Sequence, residues 1–542
     1  MKNARSMSFI VFQMIFLLAL VGVFSLACGG SDSSSDDGDD DSGDSAFDDD
    51  DDGSDDDEYY DDDLDDDVDD DVDDDEEPPP ETEEDIDPGT RPRICGDSVY
   101  ILNTDGDFIT RVNSVTLEVN TIDVGGSPVA LRTTENCDKV VTLNSGDHTV
   151  TIIDPEDLST TDRQVREGLN SLKISPDDRY AVAYHKFEDG QSGGTIGYGE
   201  ISIVDLDAGV DEDAVTSLGV GFPPDHVEFT PDGSYALLLS ETTVALVALD
   251  TGIYETLATG LDVQAGQVVK KIGITANGLY ALILAEASQN ILVLDLSDME
   301  LSEVALGCYP TDLDISEEGD VSLLVCKQTN QVLILDNDDL SLTTYDIDQV
   351  AGSGEMTTDG ALALLFTNAE AIEAIHAFNT ATGDLETYLT VKPITGAAIA
   401  PDDASAILFH DGGDGDPIDD FDEYFDDKDA FSIMTIAQGR IAPVEIPEQP
   451  EIVSFDPDGR YAIIPLPSSR SVVLADLLYG LADDISTPSP PLEAGLIPIE
   501  GGGVKGYILQ QHELGRISFF DTDDDNLRLR TITGFLLNSD IE

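Results

Sequence analysis

VEFTPDGSYALLL (residues 227–239) consists of a short apolar run, a Pro-Asp-Gly turn and a second apolar run. Brief aliphatic segments bounded by Gly, Pro and Asp have strand chemistry. The unit recurs as LKISPDDRYAVAYH from Leu172, IGITANGLYALIL from Ile272 and LDISEEGDVSLLV from Leu313. It returns as EMTTDGALALLF from Glu355, AAIAPDDASAILF from Ala397 and VSFDPDGRYAIIP from Val453. The turn-closing residues Asp178, Gly233, Gly278, Gly319, Gly360, Asp403 and Gly459 follow one another at steps of 41 to 56 residues. A second marker trails each unit: an aliphatic run ending in Asp, such as VTIIDPEDL (Asp154), ISIVDLDAG (Asp205) or VLILDNDDL (Asp336). Each repeat therefore holds about four strands. No long helical pattern intervenes, which excludes a βαβ sheet.

Four short antiparallel strands per ~43 residues make the blade of a β-propeller. One blade cannot bury both of its faces, so blades stack radially and the ring covers them. The expected fold is all-β, with about ten repeats beginning near residues 95, 127, 171, 225, 267, 311, 353, 394, 451 and 494. Single rings usually hold about four to eight blades. The last two repeats are the least regular, so the blade number is left open. VYILNTDGDFITRVNSVTLEVNTIDVGGSPVAL (residues 99–131) resembles the YVTN-type propeller repeat, with Tyr100-Ile101-Leu102-Asn103 in the signature slot and Val141-Thr142-Leu143-Asn144 one blade later. The first repeat lacks a visible inner strand. GFLLNSD (residues 534–540) ends the chain where an inner strand is due, and it is expected to pair with residues 99–103 and close the ring.

The N-terminus has a different character. Lys2 and Arg5 precede an apolar run over residues 9–24, and Ser25-Leu26-Ala27 leads into Cys28. A basic start, a short apolar core and small residues before a cut form an export signal. With cysteine at the cut, the segment resembles a bacterial lipoprotein signal, which implies acylation at Cys28. Gly29 after that cysteine favours the outer membrane of the cell envelope. The expected organisation is a signal peptide over 1–27, an Asp-rich tether over 28–93 and the propeller over 94–542.

The formal net charge is -91, and residues 31–87 alone hold about 35 Asp and Glu with no Lys or Arg. Such a segment has little to bury and repels itself, so it is expected to be extended and disordered. Nucleic acid is a poor partner for so acidic a surface. Cys95, Cys137, Cys308 and Cys326 remain past Cys28. In an exported protein they allow two disulfides with three possible connectivities, and free buried thiols are the alternative. Cys308 and Cys326 flank an antiparallel strand pair, and Cys95 and Cys137 hold nearly equivalent slots in adjacent blades, so these are the expected pairs.

Two connections outgrow their blades: 186–199, after His185, and 411–429, after His410. Both fall between second and third strands and project from one face. Loops that outgrow a scaffold commonly carry function. In the second, Asp411, Asp414, Asp416, Asp419 and Asp420 offer hard oxygen ligands for calcium. Their spacing is not that of an EF-hand, and a solvated acidic loop is the plainer reading. Phe421, Tyr424 and Phe425 are candidates for anchoring a partner or pinning the loop.

No G-x-S-x-G, P-loop or Rossmann fingerprint appears, and the six histidines are scattered. The channel-lining strands read as mainly aliphatic beside scattered acids. The expected function is a lipid-anchored envelope module that binds or scaffolds a protein or glycan partner, without catalysis and without a cofactor unless calcium. The alternative is an exported enzyme. The YVTN resemblance implies a lactonase-like hydrolase with its site at one channel mouth. Absence of Trp and of CxxCH counts against quinone and covalent haem chemistry.

Overall fold

A computed structural model describes residues 93–104, 106–187, 199–209, 213–410, 424–425, 427–499, 502–524 and 526–536. Cys28 and the whole 28–92 segment lie outside them. The described residues form ten four-stranded antiparallel sheets, each in simple sequence order. Blades 1 to 5 span 93–123, 128–164, 171–219, 226–258 and 269–305, and blades 6 to 10 span 312–346, 353–389, 394–446, 454–486 and 491–533. The only helical pieces among the described residues are three short 3₁₀ turns.

The repeated turn explains why the strands reverse where they do. In blade 4 the Thr230 hydroxyl donates to the Asp232 carboxylate at 2.7 Å and accepts the Tyr235 N–H at 3.1 Å. Asp232 also takes the Ser234 N–H at 3.0 Å. Gly233 follows with φ 69°, a left-handed conformation that costs glycine nothing. Ser175–Asp177 in blade 3 and Thr275–Asn277 in blade 5 repeat the hydroxyl contact at 2.5 and 2.7 Å. One local motif thus sets the register of the first strand on the second.

The two central strands of each blade are buried on both faces, which is why they read as continuous aliphatic runs. Tyr280–Ala285 is an example, with Ala281 to Leu284 all at 0% exposure. Fourth strands such as Glu300–Ala305 are mostly exposed, so they form the outer rim. First strands pack against one another from blade to blade and form the inner wall.

Apolar clusters join every consecutive pair of blades. Between blades 3 and 4, Val182, Ile201 and Ile203 meet Val227, Leu238 and Val247. Each such side chain contributes roughly 1.5–3 kcal/mol on burial. A further cluster joins blade 10 to blade 1, with Ile497, Tyr507 and Phe519 against Val99, Ile101 and Val112. The ring is therefore closed at ten blades, and the two irregular final repeats are genuine blades.

Closure differs from the expectation. Blade 1 has its own inner strand, Arg93–Cys95, paired with Ser98–Tyr100. That edge is already occupied, so residues 534–536 do not add a strand to it. Instead Phe535 inserts into the seam between blades 10 and 1, and its carbonyl accepts a hydrogen bond from the Thr110 hydroxyl at 3.1 Å. Residues 537–540 lie outside the described chain.

Candidate functional site

The two long connections leave from one face. They link Tyr180–Tyr184 to Glu200–Asp205 in blade 3, and Ser405–His410 to Asp429–Thr435 in blade 8. In a ring of ten, blades 3 and 8 stand opposite each other. The candidate calcium ligands Asp411, Asp414, Asp416, Asp419 and Asp420, and Phe421, lie outside the described residues. Among the described residues no group of three or more His, Cys, Asp or Glu side chains is arranged to hold a metal ion.

Tyr424 and Phe425 are described. Their rings meet edge to face at 5.1 Å, and Tyr424 is 61% exposed. The Tyr424 hydroxyl donates to Glu445 at 2.5 Å, and Lys428 lies over its ring. Glu445 belongs to the outer strand Arg440–Ile446, so the end of the connection is pinned to the blade rim. Beneath it, Lys392 is only 1% exposed and donates to the Phe425 carbonyl at 3.1 Å.

His410 ends the strand before that connection. Its Nδ1 faces the Pro393 carbonyl at 3.3 Å, which can only accept, so Nδ1 carries the proton. Nε2 then accepts from the Ser432 hydroxyl at 2.7 Å. The contact has the geometry of a base and a nucleophile. However, Ser432 is 0% and His410 1% exposed, so no substrate reaches it and the pair is a cross-strand fastening. Burial depresses the imidazole to about 4, which keeps it neutral. His376 in blade 7 is fastened in the same manner to Thr387 at 2.9 Å. His185 bonds the Gly168 carbonyl at 2.7 Å, and His512 accepts the Leu514 N–H at 3.1 Å. These histidines belong to different blades.

Cys308 and Cys326 are joined by a disulfide with Cα atoms 6.1 Å apart. The expected Cys95–Cys137 bridge is corrected, because both are free thiols. They meet across blades 1 and 2, and Cys95 Sγ donates to the Cys137 carbonyl at 3.2 Å. Gly96 N–H donates to Cys137 Sγ at 3.2 Å. The Cys95 thiol and this N–H both favour the Cys137 thiolate and lower its pKa, while the contact with Cys137 and burial push Cys95 up.

The inner wall also differs from the reading of it as mainly aliphatic. Each first strand has one position paired with the middle of the second strand and, in blades 2 to 7, two residues before the turn Ser or Thr. In blades 1 to 3 this position holds Arg93, Arg132 and Lys173. Blade 4 has Glu228 and blade 5 Gly273. Blades 6 and 7 have Asp314 and Glu355. Blades 8 to 10 have Ala398, Ser454 and Gly495. All the charged members are half-buried.

These groups stitch neighbouring blades. Arg93 Nε and Arg132 Nη1 converge on the Leu131 carbonyl at 3.1 and 2.8 Å. Lys173 pairs with Glu228 at 3.3 Å, and Asp314 takes the Met356 N–H at 2.7 Å. One pleat deeper, Lys271 pairs with Asp312 at 3.8 Å. The signal was present in the sequence: Lys173-x-Ser175, Glu228-x-Thr230, Asp314-x-Ser316 and Glu355-x-Thr357 share one spacing.

No protein-family model and no curated protein matches the chain. Among solved structures it is similar to the dihydro-heme d1 dehydrogenase NirN in complex with DHE, at 16% identity and TM-score 0.41 over 65% of this chain and 74% of that one. It is similar to a eukaryotic initiation factor at 11% identity and TM-score 0.48, over 73% of this chain and 100% of that one. Kuenenia stuttgartiensis hydrazine synthase gives 16% identity and TM-score 0.30, over 57% of this chain and 97% of that one. These likenesses carry no argument about activity or ligand.

Proposed function

We propose that the chain is a lipid-anchored module of the cell envelope, moored through Cys28, that binds or scaffolds a protein or glycan partner. The observation that carries this reading is the pairing of oversized connections on one face, on opposed blades, with the exposed Tyr424 held in place at the foot of the larger one. Rigidly held exposed aromatics are the residues that binding surfaces favour. The blades themselves act as a stiff frame, since among the described residues their central strands are almost wholly buried.

The test is affinity capture from detergent-solubilised membranes with the full-length chain. One variant replaces 411–423 by a Gly-Ser linker, and a second carries Tyr424→Ala. Loss of a wild-type partner in both supports the reading. An unchanged partner set removes this face from it. Mass spectrometry of the mature N-terminus checks the anchor: a diacylglyceryl mass on Cys28 is expected, and an unmodified soluble form discards it.

A further inference from the structure

Cys137 occupies a turn position that several blades fill with glycine. Its N–H returns to the Thr134 carbonyl at 3.1 Å, as the Gly233 N–H returns to Thr230 at 2.8 Å, and its φ is 60°. A side chain is strained in that conformation. Where other blades place one, at Asp178 and Asp403, it ties the turn to the preceding blade. Cys137 reaches back in the same way. Its Sγ lies 3.2 Å from the Gly96 nitrogen and 3.9 Å from the Ile94 carbonyl, both in blade 1. The Cys95 thiol donates to the Cys137 carbonyl at 3.2 Å, and the two thiols are within hydrogen-bond reach of each other. Here the tie rests on sulfur, a weak donor and a weak acceptor, where the other two blades use a carboxylate.

The two cysteines are unequal. Cys137 is half-exposed between the exposed Asn136 and Asp138, whereas Cys95 is buried. The Cys95 thiol and the Gly96 N–H stabilise a thiolate on Cys137, against the opposing effects of burial, Asp178 and Asp138. An accessible thiolate with a second thiol behind it is the arrangement of an attacking and a resolving cysteine. We infer that Cys137 and Cys95, which the structure holds in the reduced form, are a redox-active pair that reduces a small disulfide and closes a bridge between blades 1 and 2. In the first step the Cys137 thiolate attacks one sulfur of that disulfide. A mixed disulfide forms, the original S–S bond breaks, and one half leaves as a thiolate. In the second step Cys95 passes its proton to that thiolate and attacks the Cys137 sulfur, and the second half leaves as a thiolate that takes its proton from water. Two electrons thus pass from the two cysteines to the small disulfide. The product fastens the inner strand Arg93–Cys95, only three residues long, to the next blade. Asp138 and Asp178 stand near Cys137 in a chain of net charge -91, so a cationic disulfide approaches faster than an anionic one. Cys308 and Cys326 are already bonded and buried, and take no part.

The experiment treats the full chain at neutral pH with cystamine, a cationic disulfide, and in parallel with oxidised glutathione, an anionic one. Non-reducing peptide mapping assigns each product to its cysteine, so Cys28 is read separately. With cystamine the wild type is expected to release both halves as free cysteamine and to yield a peptide linking Cys95 to Cys137. Cys95→Ser is expected to stop with cysteamine held on Cys137. Cys137→Ser is expected to slow reaction at Cys95 by at least about tenfold, since the remaining thiol is buried. Cystamine should outpace oxidised glutathione by at least about tenfold at low ionic strength, and added salt should narrow the gap. Three results overturn the inference: no linked peptide, a lasting adduct on Cys137 in the wild type, or first reaction at Cys95. Equal rates for the two disulfides at low ionic strength overturn the charge preference. Capture of an envelope partner through the insertion face is a separate readout, so failure here leaves that reading standing.

Discussion

Asp403 in blade 8 takes two hydrogen bonds from Thr358 in blade 7, from its backbone N–H at 3.0 Å and its hydroxyl at 2.5 Å. Asp178 in blade 3 does the same to blade 2, accepting the N–H groups of Glu135 and Asn136 at 2.7 and 2.9 Å. Both aspartates sit at φ near 60°, where blades 4, 5, 7 and 9 use glycine. A side chain there incurs backbone strain, and the carboxylate offsets it by tying one blade turn to the next.

Substitution at Asp403 separates those two terms. Asp403→Gly keeps the left-handed turn without strain but loses the tie, and is expected to cost about 1–3 kcal/mol. Asp403→Ala loses the tie and keeps a strained backbone, adding roughly 1 kcal/mol more. Urea denaturation of the two variants checks the order. Equal stability of the Gly variant and the wild type would show that the tie contributes nothing.

The turn motif explains how much of the fold was legible. Thr230-Pro-Asp-Gly and its relatives specify a local geometry, so the repeats, their strands and the two long connections could be read from spacing, while the number of blades in the ring stayed open until the last two repeats were seen to pack as blades. Ring closure could not. The inner strand of blade 1 is three residues, Arg93–Cys95, too short to register as a repeat beside the prolines before it. The charged wall was missed for a different reason. Alternation gives the face of a strand, but not that such charges meet one another between neighbouring blades. Cys95 and Cys137 did fall in neighbouring slots, yet whether two adjacent sulfurs bond is not written in spacing.

The two free thiols differ in reactivity. Cys137 is half-exposed, and its thiolate is favoured by Cys95 and the Gly96 N–H, whereas Cys95 is buried and pushed the other way. Thiolates are the reactive form. Iodoacetamide at neutral pH is therefore expected to label Cys137 well before Cys95, and Cys308 and Cys326 only after reduction. Peptide mapping by mass spectrometry reads this directly. Preferential labelling of Cys95 would contradict the arrangement.

Burial of His410 makes stability depend on pH. Its folded pKa is about 4, against 6.5 for an ordinary imidazole. Between these values the unfolded chain binds a proton that the folded chain refuses. Stability is thus full above pH 6.5 and falls as pH drops toward 4. The loss between pH 7 and pH 5 is expected to be about 2 kcal/mol. His376, also depressed by burial, acts in the same direction, while Asp225 and Asp456, raised by burial, act in the opposite one. The decisive comparison is His410→Gln against wild type at pH 7 and pH 5. The variant is less stable at pH 7 because it loses fit, but its drop toward pH 5 should be smaller by about that amount. Parallel drops would mean that His410 titrates normally.

The seam between blades 10 and 1 is the one most exposed to damage, because it joins the two ends of the described chain. Phe535 is 5% exposed among Val99, Ile101, Val112, Ile517 and Phe519. Its ring closely approaches Gly515, where a Cβ would lie 2.6 Å from it, so a larger residue cannot replace that glycine without moving Phe535. Phe535→Ala leaves a cavity between blades 10 and 1 and is expected to cost about 3–5 kcal/mol. In a ring whose blades touch only their neighbours, that loss is local before it is global. Hydrogen exchange should therefore quicken first in Ser98–Asn103 and Arg516–Asp521, while Leu323 and Leu364, on the far side of the ring, keep their protection. Leu389→Ala, at a side chain 73% exposed, is the control and should change neither. Uniform acceleration around the ring would show that the propeller opens as one unit rather than at the seam its two ends share.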